Sequence, residues 1–135
     1  LSEGNYQGMG WSLRSLGLGN FLARNFEEAK DYLVRCLRIY QQISFKSGIV
    51  IALELYAGVV AELGNPTEAV QWLAVSEELR QEIGLPHTTS DDRVYYNHIR
   101  QLTVDALSLQ EWAAAWAIGR LLPLDGAISM ILGAA

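Results

Sequence analysis

The chain has 135 residues, half of them hydrophobic and 19% charged, which excludes disorder and allows one domain with a real core. A net charge of −5 and the lack of any Lys/Arg cluster exclude a phosphate-neutralising surface, so direct nucleic-acid binding is not expected. A single cysteine, Cys36, excludes a disulfide framework and is compatible with a reducing compartment.

Seven helices are predicted in chain order. The first is apolar and runs from about Gly8 to Ala23. Gly4, Gly8 and Gly10 weaken its beginning, since an interior glycine costs about 1 kcal/mol relative to alanine. After a break at Arg24-Asn25 a second helix spans about Phe26 to Ile43, with Asn25 as N-cap and Glu28 completing a capping-box-like pair. Ala29, Leu33, Cys36, Leu37 and Tyr40 fall on one face of it at spacings of three and four. The third helix follows in the apolar stretch Gly48 to Gly64, which Glu54 and Glu62 interrupt, so it is not a membrane span. Gly64 suits the end of that helix, Asn65 the next N-cap and Pro66 the first helical position. The fourth helix repeats the apolar stripe with Ala69, Leu73, Ser76 and Leu79. A longer linker, Gly84 to Thr89, leads to a helix start at Ser90-Asp91-Asp92 and a fifth helix through Leu107. Ser108 and Glu111 form a capping box for a sixth helix to about Leu121, and Pro123 and Asp125 open a short last one through Leu132.

Sliding the chain by 40 residues against itself superposes Gly8 on Gly48, Leu13 on Leu53, Asn25 on Asn65, Glu28 on Glu68, Ala29 on Ala69, Leu33 on Leu73 and Ile43 on Ile83 without a gap. Two helical hairpins, about 8–45 and 48–85, therefore repeat, and a degenerate third unit at about 90–133 is expected to cap them. Small residues at Gly17, Ala29, Ala57 and Ala69 are expected where helices approach closely.

Leu13, Leu16-Gly17, Asn25-Phe26, Ala29, Leu33 and Cys36, and again Leu53, Ala57, Gly64-Asn65, Ala69 and Leu73, resemble tetratricopeptide repeats. Asn20 and Val60 stand where that family prefers an aromatic, Cys36 and Ser76 where alanine is usual, and the period is 40 instead of 34. The longer period, with the ending Glu111-Trp-Ala-Ala-Ala-Trp-Ala-Ile-Gly-Arg120, is similar to the carboxy-terminal sensor regions of large bacterial MalT-like and LuxR-like regulators. The resemblance implies an all-α, right-handed superhelix of helical hairpins. It also implies a cytoplasmic piece of a longer regulator that binds a protein or a small inducer, and the start at Leu1 without a methionine fits such a piece. A general protein–protein adaptor is the alternative.

No convergent nucleophile, base or metal set accompanies this pattern, so neither catalysis nor a cofactor is expected. His87 and His98 are eleven positions apart and read as a loop and a helix-surface histidine. Cys36 reads as a buried structural thiol, and Trp72, Trp112 and Trp116 as core. In such an array the first helix of each hairpin lines the concave face. Trp11, Arg14, Leu18 and Phe21, then Glu54, Gly58 and Glu62, then Tyr95 and Arg100 are the candidate binding residues. An alternative for Trp11 and Phe21 is packing against an absent preceding repeat. An apolar patch on the first helix implies self-association, with a two-fold dimer expected.

Overall fold

In the computed structural model, residues 3–87 and 90–134 are described, and they form seven α-helices with no strand among them. These are α1 (Glu3–Leu22), α2 (Phe26–Gln42), α3 (Lys46–Glu62), α4 (Pro66–Ile83), α5 (Ser90–Ala106), α6 (Leu109–Arg120) and α7 (Leu124–Ala134). The all-α expectation holds, and each predicted helix is present within a few residues of its expected ends. Thr88 and Thr89 of the predicted linker, and the side chains of Ser90, Asp91 and Asp92 at the predicted helix start, lie outside the described residues.

The helices are cut to length by their C-terminal breaks. Arg24, Ser44, Gly64 and Gly84 each adopt positive φ, at 64°, 53°, 95° and 69°, one every twenty residues. After each, an N–H reaches back five residues: Asn25 to the Asn20 carbonyl at 2.8 Å, Phe45 to Tyr40, Asn65 to Val60 and Leu85 to Arg80, each at 2.9 Å. This left-handed close satisfies carbonyls that a helix end would otherwise leave unpaired. The 40-residue period is thus two steps of equal length.

The same closure explains why Asn25 and Asn65 do not cap with their side chains. Both occupy the N-cap position, but neither side chain accepts a hydrogen bond from the helix that follows. Their ψ angles of 74° and 61° belong to the tight turn, far from the extended backbone at Ser108 (ψ 160°). Asn25 turns its amide back toward Asn20 instead. Ser108 and Glu111 do form the expected box: Ser108 Oγ accepts from the Glu111 N–H at 3.1 Å, and Glu111 Oε1 accepts from the Ser108 N–H at 2.9 Å.

Hairpins α1–α2 and α3–α4 pack side by side, with α3 at the centre. Residues Gly48 to Val60 of α3 are buried except the half-buried Ile51, because the helix is apolar all round and is surrounded by α1, α2, α4 and α5. The predicted stripes on α2 and α4 are all buried. Gly17 lies so close to α2 that a Cβ there would stand 2.7 Å from Leu33 Cγ. The third unit departs from the hairpin pattern. α5 takes the place beside α3, but α6 packs mainly on α4 and only lightly on α5. α7 then touches both α2 and α4 and buries Ala127, Ile128 and Ile131. Trp72 is in the core as expected. Trp116 is half-buried and packs against the core from α6; Trp112 is outside the core, half-buried and stacked on Trp116 at 5.0 Å, since α6 covers the outside of α4.

No single described helix is long and apolar enough to cross a membrane; α6 and α7 together pass by composition but meet at a bend of 108°.

Candidate functional site

Because α1, α3 and α5 lie in a row, their facing sides enclose a cleft of about 190 Å³. Arg14 and Leu18 enter it from α1, Ile51, Glu54 and Leu55 from α3, and Tyr95, Tyr96 and Ile99 from α5. Of the nine residues expected on this face, Arg14, Leu18, Glu54 and Tyr95 are brought together here.

The other five are placed elsewhere, each for a packing reason. Phe21 is 5% exposed and belongs to the core, edge-on to His98 at 6.3 Å and against Phe26 at 5.9 Å. Gly58 is covered by Ile99, whose Cγ1 would stand 2.8 Å from a Cβ at that position. Glu62 pairs with Arg24 at 3.2 Å at the end of α3. Arg100 turns toward α6 and lies over the Trp112 ring, 5.2 Å from its centroid. Trp11 is 58% exposed and lies outside the cleft.

Glu54 is anchored from below. Arg80 donates from Nε to Glu54 Oε2 and from Nη2 to Oε1, both at 2.8 Å, and Ser76 Oγ donates to Oε2 at 3.0 Å. The pair is almost fully buried, at 3% and 6% side-chain exposure. Arg80 Nη1 donates further to the Leu85 and Pro86 carbonyls, tying the chain after α4 to α3. A two-pronged pair of this kind fixes geometry as well as charge. Beside it His87 Nε2 lies 3.1 Å from Glu77 Oε2, and the His87 ring lies tilted against Tyr96 with centroids 4.3 Å apart. His87 Nδ1 is buried without a hydrogen-bond partner among the described residues. Tyr96 is pushed up to about 12, first by burial and then by the carboxylates of Glu77 and Glu54.

The histidines serve different neighbourhoods, His87 against Glu77 and Tyr96, His98 against Phe21. No group of three His, Cys, Asp or Glu side chains able to hold a metal occurs among the described residues. Cys36 is buried, donates from Sγ to the Gly10 carbonyl at 3.2 Å, and burial raises its thiol to about 12, with Arg14 opposing. That is the opposite of an activated nucleophile.

A second concavity, of about 580 Å³, was not anticipated. It is an open groove between α1 and α2, lined by Gly8, Met9, Ser12, Leu13, Arg35, Arg38 and Ile39. The signal for it is in the repeat: Met9, Leu13 and Ile39 correspond to Ile49, Leu53 and Leu79 of the second hairpin, which are buried core residues. The half of the cleft contributed by Ile51, Leu55, Tyr96 and Ile99 was also missed.

No family model, curated protein or solved structure matches the chain.

Proposed function

We propose that the chain is a tetratricopeptide-type, right-handed superhelical binding module, a non-catalytic part of a larger bacterial regulatory protein, and that it takes a small inducer or a protein segment between its first helices. The observation that carries this reading is the convergence of Arg14, Leu18, Glu54 and Tyr95, from three successive first helices, on one cleft. A mostly apolar concavity with a few fixed polar groups is the usual form of a ligand site. The internal repeat and the equal helix steps support the superhelical assignment. The apolar environment and high titration of Cys36 favour binding over nucleophilic chemistry.

The alternative, a general protein–protein adaptor, is favoured by the α1–α2 groove and by exposed Met9, Trp11, Leu16 and Leu22 on α1. Those residues also support self-association of this chain as a two-fold dimer, which light scattering across a concentration series tests; a 15.0 kDa mass at all concentrations contradicts it.

A fragment screen read by methyl NMR separates the two sites. The inducer reading expects hits that shift Ile51, Leu55 and Ile99 and that disappear in Leu18→Trp, which fills the cleft. Hits confined to Met9, Leu13 and Ile39 overturn it in favour of the adaptor.

A further inference from the structure

The 40-residue offset places Arg14 on Glu54, Cys36 on Ser76 and Tyr40 on Arg80. In the second hairpin these three positions form a closed set: Arg80 holds both oxygens of Glu54, and Ser76 donates to one of them. In the first hairpin the same positions hold a guanidinium, a thiol and a phenol. Cys36 and Tyr40 are buried and neutral at physiological pH, and Cys36 gives its hydrogen to the Gly10 carbonyl. The charge at position 14 therefore lacks the counter-charge that its counterpart at position 54 has.

Arg14 forms none of the ion pairs of the described residues, and it lines the cleft. The carboxylate on the opposite wall, Glu54, is neutralised by Arg80. Arg14 thus brings to the cleft a guanidinium outside every ion pair of the described residues, amid Leu18, Ile51, Ile99 and the Tyr95 ring, in a chain whose net charge is −5. A cavity of about 150 Å³ holds benzene, so about 190 Å³ accommodates one ring or a short aliphatic chain with an acid group, and not a folded peptide.

We infer that the α1–α3–α5 cleft binds a small organic monoanion, its carboxylate paired with the Arg14 guanidinium and its apolar body held among Leu18, Ile51, Ile99 and Tyr95. This rests on the cleft being a binding site, as proposed above. A guanidinium matches a carboxylate with two parallel hydrogen bonds, and an apolar surround strengthens them.

Phenylacetate and its neutral analogue phenylacetamide are the probes, titrated into the 135-residue chain with methyl and tyrosine NMR as readout. Phenylacetate is expected to shift Leu18, Ile51, Ile99 and Tyr95, and to bind about tenfold or more tighter than the amide, as one charge-assisted contact implies. Arg14→Gln is expected to erase that difference, while Arg14→Lys retains part of it and Arg38→Gln, in the other groove, leaves it unchanged. Circular dichroism confirms that each variant is folded; if Arg14→Gln is not, the acid–amide difference in the unaltered chain decides alone. Equal binding of acid and amide in the cleft overturns the anion assignment and leaves the cleft as a binding site. The lack of any cleft shift with either probe at tens of millimolar overturns both.

Discussion

Deleting one member of the buried Glu54–Arg80 pair is expected to be among the most damaging single changes in this chain. Glu54→Leu removes two hydrogen bonds of 2.8 Å and leaves the Arg80 guanidinium, 3% exposed, without this carboxylate. Breaking a buried pair from one side costs about 3–5 kcal/mol, because the remaining charge is desolvated and loses its paired partner. Arg80→Met is expected to cost a similar amount, since it strands Glu54 at 4% exposure and also removes the donors to Leu85 and Pro86. The double variant Glu54→Leu/Arg80→Met carries no stranded charge. Its cost includes the lost donors at the Leu85 and Pro86 carbonyls, about 1–2 kcal/mol. Urea unfolding followed by far-UV circular dichroism measures all three. A double variant less destabilised than either single is the expected result, and the coupling amounts to several kcal/mol. Single variants costing under about 1 kcal/mol, or effects that add, would refute the view that this pair is desolvated and holds the post-α4 segment on α3.

Ser44→Gly is expected to raise stability by about 1 kcal/mol in the same assay, because Ser44 holds a left-handed conformation that a Cβ disfavours; a loss would mean the turn is not formed as described. Ser108→Ala is expected to cost about 1 kcal/mol and Asn25→Ala less than about 0.5 kcal/mol, since only Ser108 makes a side-chain cap; equal costs contradict the distinction. Gly119→Ala is expected to cost about 1–3 kcal/mol by driving a methyl group into the Gln71 carbonyl and Ala74 where α6 meets α4, and unchanged stability would displace α6 from that position. Alkaline pH is expected to destabilise the fold. Cys36, Tyr40, Tyr56 and Tyr96 are raised from 9.0 or 10.0 to about 12, so the unfolded chain releases these protons first. Their contribution is intact below pH 9, declines as pH passes the unfolded values, and is gone near 12. Cys36→Ala is expected to flatten the earliest part of that decline in pH-dependent urea titrations, and an unaltered onset would place the thiol in water.

Helix positions and the repeat were legible in the sequence because both rest on local patterns: apolar residues at helical spacing and matching residues at a fixed offset. The twenty-residue step was hidden because two of its four left-handed residues, Arg24 and Ser44, are not glycine. The Asn25 and Asn65 caps were misread because asparagine before an acidic first turn fits a capping box, whereas the preceding helix's closure had already set the backbone. In the cleft, the α1 and α3 residues Arg14, Leu18 and Glu54 followed from the repeat. On the α5 side only Tyr95 was placed, since the longer linker removes the fixed offset that would locate Tyr96 and Ile99. Phe21 and Gly58 were assigned to an open face because Ile99, which covers Gly58, lies in that unregistered helix. The Glu54–Arg80 pair joins residues of different helices, and nothing local in either segment announces it.

The most direct test of the central claim, that the row of first helices forms the binding site, is a crystal structure of the chain soaked in phenylacetate. The account predicts the ring between Tyr95 and Leu18 with its carboxylate on Arg14. An empty cleft, with the acid held by Arg35 and Arg38 in the α1–α2 groove, would contradict it.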